Sequence, residues 1–275
     1  MIAIIAGFGP PFLENEENDM TCKTKLLILT TLLSLIAIVP VQAAEEENDG
    51  IAQVILITPK AGQEKALVEA ITKYHHWVAD KQGHWTFNWY EILTGPDTGK
   101  YIARSGGHNW SDFDAEYDWQ EEAGQRFTAN VAPLIENAQR TVTRNMDDFG
   151  HWPEDFSGYT HIQIQQWYVK NGRYGQFRKG LKKIVDTLKA ANYHNYFGFV
   201  SIESGGYEGQ ITLASPNKGW SDMVEEDPSF FDIMSKELGG EEEFGRFMSE
   251  WGDTFKAGRN HMVKYMPEAS DYGDE

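Results

Sequence analysis

The stretch His84-Trp-Thr-Phe87 returns 110 residues later as His194-Asn-Tyr-Phe197, and this constant offset decides the fold. The same offset relates further short stretches: Gly95…Gly99 to Gly205…Gly209, Trp110-Ser-Asp112 to Trp220-Ser-Asp222, and Lys60-Ala-Gly62 to Lys170-Asn-Gly172. A repeat of this size predicts two copies of one supersecondary unit in a single chain. We therefore predict a first repeat over residues 51–150 and a second over residues 160–267.

Each copy reads as a strand, a helix, a Gly-bounded hairpin, a second helix and a last strand. The first helices carry one apolar stripe each, as a helix lying on a sheet requires. The stripe residues are Leu67, Ile71, Tyr74 and Val78, and then Phe177, Leu181, Ile184 and Leu188. The second copy has about nine extra residues between positions 227 and 240. We place Phe255 in its second helix and the last strands at 140–146 and 259–265.

The order βαββαβ is that of a ferredoxin-like unit, whose sheet carries helices on one face only. Taken twice, it predicts an α+β fold in which two tandem ferredoxin-like repeats form a pseudo-dimeric α/β barrel. On this element order, residues 51–267 resemble the dimeric α/β-barrel superfamily in its tandem, single-chain form. The resemblance implies a cavity between the sheets. It leaves the chemistry open, because the superfamily includes cofactor-independent monooxygenases, haem proteins similar to chlorite dismutase, and small-molecule binding modules.

The N-terminal region has the three-part pattern of a secretory signal peptide over residues 20–43. A basic stretch, Met20 to Lys25, precedes an apolar run from Leu26 to Val39, and small residues follow, with cleavage expected after Ala43. A retained N-terminal anchor is the alternative. Residues 1–19 then read as a start assigned too early, residues 44–50 as an acidic linker and residues 268–275 as a frayed acidic tail. The mature protein is expected to be periplasmic or secreted.

The charge and the cysteine content of the chain exclude several kinds of binding partner and chemistry. The full chain has a formal charge of −18, and removal of residues 1–43, with four acids and two bases, leaves −16. Such a charge disfavours nucleic acid and anionic membranes. The single cysteine, Cys22, lies in the signal peptide, so disulfides and thiolate chemistry are excluded from the mature chain. No His or carboxylate spacing predicts a metal site.

The second strand and third strand of the first copy carry a charge pair that the second copy lacks. If Thr94 faces Tyr101 in the hairpin, then Glu91 faces Arg104, whereas the corresponding second-copy residues are Ser201 and Ala214. A buried pair of this kind favours a ligand-binding role over a stabilising one. A solvated salt bridge at a sheet edge is the alternative, since a slip of one residue reverses the facing.

Two histidines and two tryptophans complete the candidate site. His108, at the end of a strand, and His261, on the last strand, suit acid–base work or axial haem ligation. Trp89 and Trp167 lie in the middle of strands, where they could line a cavity for an aromatic ligand. The predicted ligand-binding set is Trp89, Glu91, Arg104, His108, Trp167 and His261.

Four functions remain open at this stage. The first is an exported protein that binds a small apolar or aromatic molecule without cofactor. The second is a cofactor-independent monooxygenase-like enzyme that uses Arg104, Glu91 and either His108 or His261. The third is a haem protein with one of those histidines as axial ligand, and the fourth is an envelope structural or interaction module. Oligomerisation beyond the intramolecular pseudo-dimer is left open.

Overall fold

The computed structural model describes residues 48–224 and 227–270, which form eight strands and five α-helices. In chain order the elements of the first part are β1 (Ile51–Pro59), α1 (Glu64–Val78), β2 (Asn88–Ile92), β3 (Tyr101–His108), α2 (Gln120–Asn130) and β4 (Ile135–Asn145). Those of the second part are β5 (His161–Val169), α3 (Tyr174–Ala190), β6 (Gly198–Ser204), β7 (Gln210–Asn217), α4 (Phe230–Leu238), α5 (Glu241–Gly252) and β8 (Phe255–Tyr265).

The strands close into one antiparallel barrel in the order β1-β3-β2-β8-β5-β7-β6-β4, with β4 returning to β1. Two strand pairs join the first part of the chain to the second, β2 with β8 and β4 with β6. The structure is thus an α+β fold with an eight-stranded antiparallel sheet and five helices. Closure leaves none of these eight described strands with an unpaired edge, which removes a common route to aggregation.

The two ends of the barrel differ in what they carry. Because neighbours are antiparallel throughout, β1 and β5 run in the same direction and start at the same end. We call it the upper end, and Ile51, His108, His161 and Asn217 lie there. The hairpin turns that follow β2 and β6 lie at the opposite, lower end.

The helices cover the outside of the barrel in two separate apolar cores. The predicted stripe on α1 is buried and packs on Trp89, Tyr101 and Ala103, and the predicted stripe on α3 is buried against Trp167 and Trp251. Both amphipathic stripes are therefore confirmed. Strand residues that alternate with these ones face the barrel interior, since successive side chains point to opposite faces.

The interior is only partly filled. Ile92, Ile162 and Val263, contributed by both parts of the chain, form a small buried cluster there. Other inward residues, including Val54 and Thr212, keep part of their accessible surface although strands surround them. Water-sized space therefore remains beside these inward residues.

The segment between β4 and β5 crosses the upper end. Phe156 packs against the interior cluster, and the Trp152 ring stacks on it at 5.6 Å with an interplanar angle of 6°. Trp152 in turn lies over Gly198, where a Cβ atom would come within 3.1 Å of its ring. The connection therefore acts as a partial cover for this mouth of the barrel.

Several element boundaries in the structure differ from the predicted ones. The extra residues of the second part form a whole additional helix, α4, and Phe255 begins β8 instead of ending the preceding helix. Strand β4 likewise starts at Ile135, five residues before the predicted start. The tail predicted to fray from Glu268 is packed over its first residues, since Ala269 is 1% exposed and the Ser270 hydroxyl accepts a hydrogen bond from the Trp89 amide.

The predicted signal peptide (20–43) and the segment 1–19 lie outside the described residues, as do residues 44–47 of the linker and 271–275 of the tail. In the part of the chain that the structure covers, no helix has the length and apolarity needed to cross a bilayer.

Candidate functional site

The central residue of the candidate site is Arg104, on the inward face of β3. It lies directly opposite Val54 of β1 and Asn88 of β2, and it alternates with Ala103, which faces the helices. Its guanidinium extends toward the upper end, where a Cβ atom on Gly106 would approach Nη1 within 2.6 Å. The absence of a side chain at Gly106 therefore makes room for the guanidinium.

The charge of Arg104 is poorly compensated. Burial lowers its pKa, and the nearby phenol of Tyr90 opposes that change. One Nη2–H donates to the Asn145 side-chain oxygen at 3.2 Å, and no carboxylate among the described residues forms an ion pair with it. Yet the residue keeps part of its accessible surface, so the desolvated group borders interior space and is not packed solid. Of the five N–H donors of the guanidinium, one has an assigned acceptor among the described residues.

The predicted Glu91–Arg104 pair does not form. Glu91 lies opposite Tyr101 and Lys264, while Arg104 lies opposite Asn88, so the predicted register is wrong by three residues. Glu91 shares the outer face with Trp89 and is directed away from the interior. The cause is β8: Leu93 N–H donates to the Met262 carbonyl at 2.8 Å, which withdraws residues after Ile92 from the hairpin.

Trp89 and Trp167 do not line the interior. Trp89 is 4% exposed beneath α1, and Trp167 is 7% exposed against Phe177, Trp251 and Phe255. Both side chains face the helices, because their strands expose the alternate residues to the interior. They belong to the two outer cores, and the prediction that they line the inter-sheet cavity is wrong.

His108 also belongs to the outer face. Its Nε2 is 2.7 Å from the Ser105 hydroxyl, and its ring stacks on Trp85 with centroids 4.1 Å apart. The Asp112 carboxylate lies 3.7 Å from Nδ1. Burial lowers the pKa of His108, Asp112 raises it and Arg104 lowers it further. Packed in this way, the imidazole closes an aromatic cluster and is inaccessible to a substrate.

His261 faces the interior, on the same face of β8 as Val263. It is 6% exposed, and its Nε2 has no hydrogen-bond partner among the described residues. Burial lowers its pKa, the Asp97 carboxylate raises it and Arg259 lowers it. Asp97 comes from the lower-end hairpin turn and is held by Lys100 and Arg259. His261 therefore lies on the interior side of β8 with its Nε2 atom buried.

Neither histidine fits the role of an axial haem ligand. A porphyrin needs an open slot beside the ligating nitrogen, whereas the His108 ring is covered by Trp85 and the His261 Nε2 atom is buried. Across the described residues, no three His, Cys, Asp or Glu side chains converge as a metal site.

Two adjoining clefts open at the upper end of the second part of the chain, outside the barrel. Their volumes are about 340 and 330 Å³, and both are lined by His194 and Tyr196. Lys218 and Asp222 line the first cleft, and His151 lines the second. None of the six predicted site residues borders them. The available signal was the repeat itself, because positions 195 and 218 differ in character from positions 85 and 108.

The fold agrees with known structures, although sequence comparison finds no relative. No sequence-family profile and no curated protein sequence matches the chain. A monooxygenase candidate from Lactobacillus acidophilus NCFM superposes with a TM-score of 0.50 and 10% identity, over 79% of this chain and 94% of that one. An anthrone oxidase-like protein superposes with a TM-score of 0.50 and 8% identity, over 80% of this chain and 92% of that one. The chlorite dismutase of Candidatus Nitrospira defluvii superposes with a TM-score of 0.50 and 8% identity, over 81% of this chain and 93% of that one.

These similarities define the fold of the chain. The chain has the dimeric α/β-barrel (ferredoxin-like) fold that its neighbours share, and the predicted resemblance is confirmed at that level. Identities of 8–10% relate the folds alone and assign no reaction to this chain.

Proposed function

We propose that this protein is an exported binding protein, a single-chain pseudo-dimer of two ferredoxin-like repeats, that holds one small organic anion inside its barrel. Export to the periplasm or beyond the cell rests on the signal-peptide pattern of residues 20–43. The anion-binding role rests on one observation, the Arg104 guanidinium, which borders interior space with a single amide oxygen as its assigned partner.

The cost of burying charge supports this proposal. A desolvated cation without a counter-ion destabilises a folded protein, so its presence is best explained by a ligand that supplies the missing charge. A carboxylate fits best, because guanidinium groups bind it through two parallel hydrogen bonds. The group that accepts from Arg104 would approach from the upper end, beside Asn145 and Tyr90.

The surroundings of Arg104 favour an aromatic or apolar body on the ligand. Leu56, Tyr90 and Ile102 face the same interior, and the Tyr90 and Tyr265 rings lie 5.6 Å apart across the β2–β8 pair. An aromatic carboxylic acid matches an interior with apolar walls and one cation.

The test compares ligand binding with stability in one variant. Arg104→Met removes the charge, so we expect the ligand-free protein to gain about 1–3 kcal/mol in its free energy of unfolding. The same variant should bind benzoate or 4-hydroxyphenylacetate at least about tenfold more weakly than the wild type in calorimetric titrations. Benzamide, the neutral analogue of benzoate, should bind both proteins equally weakly.

Arg144→Met is the matched control. Arg144 lies on the outer face of β4, paired with Glu203 at 3.2 Å, and its loss should leave binding of the acids unchanged. A destabilised Arg104→Met protein with unaltered acid binding would contradict the proposal and make Arg104 a structural residue. Oxygen consumption during the same titrations would instead favour the monooxygenase-like alternative.

A further inference from the structure

The first cleft occupies a place that is filled in the other half of the molecule. In the first half, Trp85 stacks on His108 at 4.1 Å and Phe113 packs edge-on against Trp85 at 4.9 Å. The residues 110 positions further on are Asn195, Lys218 and Met223. Asn195 and Lys218 both line the cleft of about 340 Å³. Replacement of two stacked rings by an amide and a flexible ammonium therefore accounts for the open space.

Aromatic rings form one wall of this cleft. Tyr159 and Tyr196 meet edge to face with centroids 5.9 Å apart, and the His151 ring continues the wall at 4.9 Å from Tyr196. The Lys218 ammonium lies 5.6 Å from the centroid of Tyr159. Because ring faces attract cations, that ammonium marks a position where positive charge is favoured.

Carboxylates stand beside the rings. Asp222 and Asp227 line the cleft, and Asp222 is fixed at the start of a helical turn by accepting from the Lys218 backbone N–H at 2.8 Å. Burial raises the pKa of the Tyr159 phenol, and Tyr196, Asp222 and Asp155 raise it further. The negative potential at the phenol and the ring wall act in the same direction, toward a cationic ligand.

We propose that this cleft is a second binding site, distinct from the barrel interior, and that it takes a small organic cation, a substituted ammonium with a compact apolar body. The ammonium replaces Lys218 at the face of Tyr159, with Asp222 and Asp227 as its counter-ions. The exposed Lys218 side chain moves aside without loss of a buried contact. The apolar body extends along Tyr196 toward the adjoining cleft.

The test is a titration of the full mature chain with benzyltrimethylammonium, followed by NMR shifts of the His194 and Tyr196 signals. We expect saturable binding, and at least about tenfold weaker binding of the neutral benzyl alcohol. Asp222→Asn keeps a side-chain oxygen that can accept from the Lys218 backbone N–H, and it should weaken binding of the cation about tenfold. Asn195→Trp should abolish binding, because it restores the ring that the first half has at this position. Lys218→Met, which removes the resident ammonium, should tighten binding.

Tyr207→Ala is the control, since this exposed ring lies at the opposite end of the barrel. Equal binding of benzyl alcohol, or cation binding that survives both Asp222→Asn and Asn195→Trp in folded proteins, would overturn the proposal. Absence of saturable binding to the wild type would do the same. Because Arg104→Met should leave this titration unchanged, the result is independent of the anion site.

Discussion

Gly180 shows how closely the second outer core is packed. A Cβ atom at this position of α3 would lie 2.2 Å from Cδ1 of Trp251, whose indole N–H donates to the Phe177 carbonyl at 3.0 Å and so cannot shift freely. Glycine elsewhere in a helix is replaced by alanine at a gain. At Gly180 the clash makes the substitution destabilising, because overpacking a rigid core costs more free energy than the higher helix propensity of alanine contributes.

We therefore expect Gly180→Ala to lower the free energy of unfolding by about 1–3 kcal/mol in urea denaturation. Gly175→Ala is its matched partner in the same helix, since a Cβ atom there would meet no other part of the described chain within 4 Å beyond its own helix backbone and chain neighbours. The Gly175 variant should be neutral or slightly stabilised. Equal effects of the two substitutions would show that Trp251 yields to the extra methyl group.

Asp97 links stability to pH. Burial is the largest influence and raises the Asp97 pKa, but the hydrogen bond from Lys100 and the charges of Arg259, Lys100 and His261 together hold it below its ordinary value. A carboxyl with a lowered pKa stabilises the folded state above its unfolded pKa, near 4, and loses that contribution as pH falls through the folded value.

Asp97→Asn should accordingly cost about 2 kcal/mol at pH 7, the size of a charge-assisted hydrogen bond. The difference from wild type should shrink when the same denaturation is run near pH 3. Combining Asp97→Asn with Lys100→Met tests the assignment, because the two losses should not add if the residues act as a pair. Additive losses, or a deficit that is constant with pH, would count against it.

Among the strands of the barrel, β2 is held by the shortest pairing with a neighbour. It has five residues and three registered pairs with β8, whereas β5 and β8 share eight. The residues that follow β2 add contacts to β8 beyond these pairs, since the Thr94 hydroxyl accepts a hydrogen bond from the Met262 N–H at 2.8 Å. Few pairs mean a low free energy of local opening.

Hydrogen exchange should reveal this difference. Amides of β2 are expected to exchange at least about tenfold faster than those of β5 under native conditions, as measured by NMR or mass spectrometry. Similar protection in the two strands would mean that the barrel opens only as a whole.

The helices and hairpins were largely predictable from the sequence, whereas the pairing register of the strands was not. Apolar spacing located α1 and α3, and the Gly-bounded turns located both hairpins, because these signals are local. The register of β2 and β3 was missed by three residues because β8, some 170 positions away, captures Leu93 and Thr94. Whether Glu91 and Arg104 face each other depends on that register, so the predicted charge pair joined an outward carboxylate to an inward guanidinium.

At the scale of the whole molecule, the interior cluster makes the two halves cooperate. Ile92 comes from the first half, Ile162 and Val263 from the second, and all three are nearly inaccessible. The outer cores share no residue, so this cluster and the two interhalf strand pairs carry the coupling.

Ile92→Ala should therefore lower the free energy of unfolding by about 2–4 kcal/mol and keep a single cooperative transition. Tryptophan fluorescence reports both outer cores, and circular dichroism reports the helices, so the two signals should shift together. Separation of the signals into two steps would show that each half unfolds on its own.

The single-chain barrel places Arg104 on one side of its interior and Ala214 at the position 110 residues later. A barrel assembled from two identical subunits would present every inward group twice, and a guest could enter in either of two equivalent poses. Here the interior is directional. We therefore expect a stoichiometry of one acid per chain and a single set of bound-ligand resonances, with the carboxylate always toward the mouth that Phe156 and Trp152 overhang.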